Sequence, residues 1–503
     1  TALGAEAGSA LTTACDTVII GKSAGAGVMI TNSGGSVPSY ADGTVAIGAL
    51  ALTALTTGAG NTAVGYEAGN AIADDNNNTL IGYQAGKVTT GASNTYVGFK
   101  AGLGTTGADS YNVGIGESAL LAITTGTQNT AIGIGAGHGL TTGERNVAIG
   151  REAMYFGTTE TDKNVAIGAD CMAGNFGVAA VIECVAVGDS ALNAVLTATA
   201  SGSVAVGKDA LGALTSGSGN TAIGHQAALL VGTGASNTIV GYNSLIASNT
   251  AADSNTTLGT GALQNASSAT NTGNIAIGAG SLTAGAGDLT GNIAIGQNAL
   301  DDTLHEDQTG TIAIGHQALT ALTTGAGNVA NGYQSLNTIT TGSRNIGIGY
   351  GVMNDTNDTF TQASCVIPAQ GTPDATITHP ENTDIAVGMT VTGTGIPANS
   401  TVASLNGSSN VSFELSTSVG LTAGTVTLTF SGCLSASDNV FMGYDAGGGT
   451  WVAEGVTQKN VGIGSGAMVG ALNGVSGATA IGYNALAALT TGARNTAVGF
   501  QAL

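Results

Sequence analysis

The hydrophobic and polar positions of this chain repeat with a short period. The nine-residue unit at 61–69 reads Asn-Thr-Ala-Val-Gly-Tyr-Glu-Ala-Gly, and closely similar units occur at 129–137 and 292–300. Aligned on the glycine in their fifth position, 24 units can be counted, and most follow one another after 17 or 18 residues. A fixed short period is typical of proteins built from stacked, nearly identical structural units. We therefore interpret the chain as an array and not as a series of globular domains.

Positions 2 to 4 of the unit predict a short β-strand. Position 2 is β-branched in all 24 units, and position 4 is aliphatic or Met in every unit except at Asn331. Because side chains two residues apart share a face of a strand, these positions form one bulky apolar face. Position 3 is usually Ala, and position 8 is Ala, Ser or Cys in every unit except at Val352. Small side chains at fixed places indicate that another backbone comes close.

Both faces of the predicted strand are apolar, so we expect each coil to have its core on one side and a partner on the other. The simplest arrangement puts the bulky face inside the coil and the small face against a second chain. The sequence does not decide between this arrangement and its reverse. With the bulky face inside, Asn331 is expected to be a buried amide that needs hydrogen-bond partners.

The remaining positions of the unit predict turns. Position 1 is Asn in 17 of the 23 units that possess it, and tracts such as Thr56-Thr57-Gly58 separate the units. Asn tolerates a left-handed backbone and bonds to neighbouring amides, which suits a corner, and the Thr-Thr-Gly tracts supply the opposite turn. The alternative, a biased but disordered tract, does not require a β-branched residue at the same position 24 times.

Two segments interrupt the array. Residues 27–43 are predicted to form an enlarged loop, and the repeat is lost at 351–438, where four of the five prolines lie among strand-like runs. We therefore predict a repeat array over 1–350, an inserted β-sandwich-like domain over 351–438, and a resumed array over 439–503. Cys365 and Cys433 lie near the two roots of the insert, and we predict a disulfide between them if the environment is oxidising.

The unit resembles sequences of known surface fibres. Asn-Val-Ala-Ile-Gly at 146–150 and 164–168 resembles the head repeat of YadA-type trimeric autotransporter adhesins. Residues 328–336, followed by a Thr-Thr-Gly turn, are more similar to the longer repeats of bacteriophage tail fibres and related surface fibres. The resemblance covers nearly the whole chain outside 351–438.

The resemblance implies an all-β fold, a parallel β-roll or β-solenoid of stacked 17–18-residue coils. It also implies an intertwined or side-by-side homotrimer on a virion or on the extracellular or cell surface. The partners that it implies are other copies of the chain, other fibre, virion or surface proteins, and a host-surface glycan.

Composition narrows the possible partners. The chain has 31 acidic residues, 10 Lys and Arg, and a net charge of −21, with no basic stripe that could neutralise phosphates, which disfavours nucleic-acid binding. No 18-residue stretch is free of Gly, Asn or charge, which disfavours membrane insertion. Thr1 and Leu503 both lie inside repeats, so we expect the chain to be a segment of a longer or processed protein.

The sequence contains only weak signals for reactive residues. Residues 21–25, Gly-Lys-Ser-Ala-Gly, match a hydrolase nucleophile pattern but lack the helix that should follow. The five histidines have no metal-ligand spacing, and the acidic clusters at 74–77 and 355–358 do not follow a calcium-loop spacing. We therefore predict no catalytic, cofactor-binding or metal-binding residue and no cofactor, and the ligand-binding residues stay unassigned.

Rings recur at position 6, directly after the glycine. They are either exposed ladders suited to sugars or packing between chains; the members considered are Tyr66, Tyr83, Phe99, Tyr242, His316, Tyr333, Tyr444 and Tyr483.

Together these features predict a non-enzymatic structural fibre or spike, most similar to a phage tail fibre that mediates attachment to a host cell surface. A bacterial trimeric surface adhesin is one alternative, and a glycan-degrading tailspike, recognisable by a cleft of facing carboxylates, is another.

Overall fold

The structure, a computed structural model, describes residues 1–11, 16–27, 41–105, 107–157, 161–176, 180–197, 200–246, 252–264, 271–283, 288–301, 308–323, 325–340, 342–354, 359–367, 376–380, 390–397, 400, 402–406, 412–416, 422–431, 436–449, 457–470, 472 and 474–503. No α-helix occurs within these residues. The chain divides into two compact units, Thr1–Ile246 with Thr250–Asp253, and Ala247–Asn249 with Ser254–Leu503. Most of the enlarged loop predicted at 27–43 lies outside the described residues.

The first unit is a stack of parallel coils, each with one short strand. Its strands are Ala2–Leu3, Val18–Ile20, Val45–Ile47, Thr62–Val64, Thr79–Ile81, Thr95–Val97, Val113–Ile115, Thr130–Ile132, Val147–Ile149, Val165–Ile167, Val185–Val187, Val204–Val206, Thr221–Ile223 and Thr238–Val240, with a further short strand at Ala252–Asp253.

The second unit repeats this arrangement and contains the insert. Its coil strands are Thr256–Leu258, Ile275–Ile277, Ile293–Ile295, Ile312–Ile314, Val329–Asn331, Ile346–Ile348, Val440–Met442, Val461–Ile463, Thr479–Ile481 and Thr496–Val498. A second parallel ladder joins Asn271–Thr272, Leu289–Thr290 and Gln308–Thr309.

Equivalent repeat positions lie above one another. Thr62, Ala63 and Val64, for example, pair in parallel with Thr79, Leu80 and Ile81 of the next coil. A strand at positions 2 to 4 is therefore confirmed for the repeat unit, and the fold is a parallel β-solenoid with about 18 residues per turn.

The small face of each strand is the inward one. Ala46 and Ala63 at position 3 are fully buried, whereas positions 2 and 4 on either side of them are half-exposed. Of the two arrangements that the sequence leaves open, the structure has the reverse of the simplest one, with the small face inside. In many coils the opposite wall already supplies two large side chains, such as Leu52 at position 9 and Leu55 at position 12, both fully buried. The space that remains opposite them admits little more than a methyl group.

Asn331 illustrates the consequence of this reversal. It ends its strand at position 4 and is exposed, so its predicted role as a buried amide is wrong. Its side chain points away from the core because position 4 has the same orientation in every coil.

In several coils a large residue at position 3 is accompanied by glycine at position 9, whereas the coil of Gly241 has Ile239 and Leu245 at these positions. Tyr96 occupies position 3 of its coil, and a Cβ on Gly102 at position 9 would overlap its ring. Phe441 repeats the pattern with Gly447, whose added Cβ would lie 2.9 Å from the phenyl ring. In these two coils the bulk lies at position 3 and not at position 9.

The asparagines at position 1 form a ladder inside each unit. Asn146 donates its backbone N–H and its Nδ2 to Oδ1 of Asn129, both at 3.0 Å, and donates again to the carbonyl of Thr161. Asn129 bonds to Asn112 in the same way. The predicted bonding to neighbouring amides is confirmed. The left-handed residue, however, is the preceding one, such as Arg145 with φ of +58°, which leaves the asparagine free to turn inward.

The glycine at position 5 is required for two independent reasons. Gly65 has φ of +144°, a conformation that is essentially restricted to glycine. A Cβ at this residue would also overlap the carbonyl oxygen of Gly82 in the next coil. The corner of one coil therefore rests directly on the corner of the next.

The insert is a separate antiparallel sheet. Its strands run in the spatial order Thr390–Thr392, Gly424–Ser431, Thr359–Ile367, Thr376–Thr378, Ser412–Leu415 and Val402–Asn406. In the described residues it is one six-stranded sheet, and not the two facing sheets that a sandwich-like domain implies. Its core includes Phe413, Leu428 and the fully buried Cys365. Cys433, the predicted disulfide partner of Cys365, lies outside the described residues.

Candidate functional site: the aromatic ladders

The rings at position 6 stack on one another along the outside of the coils. Ring centroids of successive coils are 5.1 to 5.4 Å apart and nearly parallel, in the pairs Tyr66–Tyr83, Tyr83–Phe99, His225–Tyr242, His316–Tyr333, Tyr333–Tyr350, Tyr350–Tyr444 and Tyr483–Phe500. This separation follows from the roughly 4.8 Å spacing of strands in a sheet, which places equivalent side chains at stacking distance.

Most of these rings are exposed in the single chain, whereas His316 is half-buried. Tyr66 at one end of a ladder is 42% exposed, and Tyr444 at the end of another is 61% exposed. Tyr350 and Phe500 belong to the same ladders but were not among the residues singled out from the sequence. The signal that identifies them is their place directly after the corner glycine, which is the same as that of the other members.

Stacking determines which part of each ring a ligand can reach. Tyr333 has His316 on one face and Tyr350 on the other, so only its edge and hydroxyl are accessible. A ring at the end of a ladder has one uncovered face. Ligands that bind through the face of a ring are therefore restricted to ladder ends.

Polar side chains at position 7 accompany the rings. Glu67 accepts a hydrogen bond from Gln84 at 2.8 Å and an ion pair from Lys87 at 2.6 Å. Hydrogen bonds from Lys87 and then from Gln84 hold the pKa of the Glu67 carboxyl below its usual value. In the second unit Gln334 donates to Gln317 at 2.8 Å. Each ladder thus has hydrogen-bonding groups along one flank.

One concave site lies beside a ladder. A cleft of about 350 Å³ is lined by Tyr350, Gly351, Asn354, Tyr444, Asp445 and Gly448. Gly351 and Gly448 contribute backbone and no side chain to its lining. Its walls combine aromatic edges, an amide and a carboxylate, which is the kind of lining that suits a polar ligand with apolar patches.

The residues singled out for catalysis are not brought together. Ser23 donates to the carboxylate of Glu6 at 2.8 Å, an arrangement without the imidazole base of a hydrolase. The exposed His225 and the half-buried His316 each stack in a ladder, whereas His138 stacks on Tyr155 at 4.5 Å. Among the described residues no three His, Cys, Asp or Glu side chains are grouped to hold a metal ion.

Two further predictions concern single residues. Cys171 lies at position 8, where small residues predict a buried, unreactive thiol, and its burial is confirmed; desolvation raises its pKa to about 12. In the acidic cluster at 74–77, Asn76 accepts a hydrogen bond from the backbone of Ala59 at 2.7 Å, as a turn residue does. The cluster at 355–358, together with Cys15 and His305, lies outside the described residues.

A buried polar cluster was missed by the sequence analysis. Asp109 is 1% exposed and accepts hydrogen bonds from the hydroxyl groups of Tyr96 and Thr89. Burial raises the pKa of the Asp109 carboxyl, and the hydrogen bonds from Tyr96 and Thr89 offset part of this rise. The available signal was the tyrosine at position 3, where Ala is usual, because a buried phenol needs a polar partner.

Comparisons with known proteins identify no relatives: no family model, no curated protein and no solved structure matches the chain. Among the described residues, no helix has the length and apolar character required to cross a membrane.

Proposed function

We propose that this chain is a structural element of a surface fibre, most similar to a phage tail fibre, that attaches to a host cell surface. The observation that carries the proposal is the distribution of side chains about the coil wall. The interior is filled by the same small and aliphatic residues in successive coils, whereas rings and polar groups recur on the exterior. Such a wall acts as a rigid support for an outer surface that can vary without disturbing the core.

The proposed fibre is a homotrimer whose chains meet through the outward face of positions 2 and 4. This face carries a row of half-exposed aliphatic side chains at a regular spacing, for example Ile348, Ile463 and Ile481, each 37 to 39% exposed. A partner that contacts the whole row needs the same spacing along its own surface. Another copy of the chain has that spacing, and cyclic symmetry makes every copy equivalent.

The proposed function is tested with purified, fluorescently labelled protein and intact cells of candidate bacterial hosts. We expect saturable binding to some hosts, measured by flow cytometry, that is competed by the unlabelled chain. We also expect no release of reducing sugar from isolated surface polysaccharide. Failure to bind any of the tested hosts contradicts attachment by this chain. Release of oligosaccharide by repurified protein instead identifies a glycan-degrading tailspike.

A further inference from the structure

One ladder in the second unit lacks a ring. Tyr444 and Tyr483 occupy position 6 of two coils that have a single coil between them, and the intervening residue at position 6 is Ser465. The three strands pair in register, with Met442 opposite Ile463 and Ile463 opposite Ile481. The two tyrosines are therefore two coil steps apart, about 10 Å, with a serine where the ladder would otherwise continue.

The uncovered faces of these two rings point toward each other. Tyr444 has Tyr350 on its other face at 5.4 Å, and Tyr483 has Phe500 on its other face at 5.3 Å. Both tyrosines are exposed, Tyr444 to 61% and Tyr483 to 48%. Among all position-6 residues of the repeat, no other single ring-free coil separates two coils with rings.

The floor and the flank of this gap are small and polar. Ser465 supplies a hydroxyl group at the floor, and Gly466 beside it has no side chain. The carboxamide of Asn484, one coil further on, lies close to the place that a Cβ on Gly466 would occupy. The gap therefore has two aromatic walls with hydrogen-bonding groups along its floor and one flank.

The dimensions and chemistry of the gap define its ligand. A ring midway between the tyrosines lies about 5 Å from each, the same separation as in the intact ladders. A pyranose chair presents C–H groups on both faces and hydroxyl groups around its rim. Its faces match the two tyrosines, and its rim matches Ser465 and Asn484. The chain carries a net charge of −21, which disfavours acidic sugars.

We propose that the gap between Tyr444 and Tyr483 binds one neutral hexopyranose residue, sandwiched between the two rings above Ser465. The inference rests on the proposed function, since it assigns to the fibre a site for a host-surface glycan. The same chemistry serves a terminal sugar or one within a chain, because the gap opens to solvent on its outer side.

The decisive variant is Ser465→Tyr, which fills the gap with a ring of the kind that the neighbouring coils already have at this position. The full-length chain is titrated by calorimetry with maltohexaose, a β-1,3-glucan hexasaccharide and a galacto-oligosaccharide, with oligogalacturonate as the acidic comparison. We expect a neutral probe to bind and Ser465→Tyr to weaken it at least tenfold. Tyr444→Ala and Tyr483→Ala should weaken it similarly. Tyr111→Ala, which removes an exposed tyrosine outside the position-6 ladders, is the control and should leave binding unchanged.

The outcomes separate this site from the proposed function. If host cells bind equally well to the native chain and to Ser465→Tyr, and probe binding is also unaffected, the gap is not the sugar site while attachment stands. Binding of none of the neutral probes, or binding only of an aromatic compound such as indole, also overturns the proposal. If the native chain binds to none of the host cells, the proposed function itself is contradicted.

Discussion

Asn439 donates its side-chain amide to Oδ1 of Asn345 at 3.1 Å, although the two residues are 94 positions apart. Asn345 in turn donates to Asn328 at 3.0 Å and to the carbonyl of Ala436 at 2.6 Å. The ladder therefore crosses the insert in the same geometry that joins adjacent coils. Beside it, Arg344 pairs with Asp438 through two hydrogen bonds of 2.6 and 3.3 Å. The insert interrupts the sequence of the coils without interrupting their stack.

Replacing Asn345 with Ala tests the contribution of this junction. The change leaves the buried amide groups of Asn439 without their acceptor, which we expect to lower the free energy of unfolding by about 1–3 kcal/mol. Urea denaturation measures the loss. Asn337→Ala is the matched control, because the buried Oδ1 of Asn337 accepts no hydrogen bond from the described residues. Equal losses in the two variants contradict a specific role for the ladder.

The corner glycines predict a second difference in stability. Gly65→Ala introduces both a prohibited backbone conformation and an overlap with the Gly82 carbonyl group, so we expect a loss well above 3 kcal/mol or failure to fold. Gly219→Ala is the control, because Gly219 has φ of +68° and a Cβ there meets nothing within 4 Å. Its expected cost is only about 1–2 kcal/mol, from the left-handed backbone. Comparable urea midpoints for the two variants contradict stacking of the corners.

The sequence predicts most of the solenoid because its constraints are local and repeated. A β-branched residue at position 2 and a glycine at position 5 locate each strand and each corner without knowledge of any distant contact. The direction of the faces could not be predicted in the same way. It depends on how much volume the opposite wall supplies. In one coil that volume comes from Leu52 and Leu55, at positions 9 and 12, whose direction the strand pattern of positions 2 to 4 does not determine.

The candidate site was only partly predictable for a similar reason. That rings recur at position 6 is evident from the sequence, but their exposure depends on the same choice of face. Once position 3 is known to point inward, positions 2 and 4 must point outward. The gap in the ladder then follows from the alignment of coils, which places Ser465 where neighbouring coils have a ring. The Asp109 cluster could not be found from the repeat, because Asp109 lies in the variable turn.

The placement of bulk at position 3 in the coil of Phe441 makes a double-mutant prediction. Gly447→Leu alone places a large side chain against the ring of Phe441, which lies 2.9 Å from an added Cβ, and should strongly destabilise the second unit. Phe441→Ala alone leaves a cavity and should cost about 3–5 kcal/mol.

The combination of these two changes recreates the Ala and Leu pair of the common coil. We therefore expect the double variant to recover most of the lost stability, giving a favourable coupling free energy of more than about 1 kcal/mol in a double-mutant cycle. Urea denaturation of all four proteins measures this coupling. Additive losses contradict volume exchange between positions 3 and 9.

The buried carboxyl of Asp109 predicts a pH dependence of stability. Its pKa is raised by burial in the folded chain, so the folded state binds the proton more tightly than the unfolded state does. Stability therefore falls as the pH rises from the unfolded pKa through the raised folded pKa. Asp109→Asn removes the ionisation, so we expect its stability to fall less with pH. Relative to the native chain, the variant should therefore be more stable at pH 7 than it is at pH 3. If the urea midpoint of the native chain instead rises between pH 3 and pH 7, relative to that of Asp109→Asn, the raised pKa of Asp109 is contradicted.

The half-exposed aliphatic row predicts the oligomeric state. Light scattering of the native chain should give about three times the monomer mass of 48.3 kDa. A charge placed at the centre of an apolar contact must be desolvated for the chains to associate, so Ile463→Glu combined with Ile481→Glu should shift the mass toward the monomer. Because both residues point away from the core, coil folding should persist, as circular dichroism can check. Tyr444→Glu, with the charge beyond the corner glycine, is the control and should remain trimeric. A native chain that scatters as a 48.3 kDa monomer contradicts the trimer and leaves the row to some other partner.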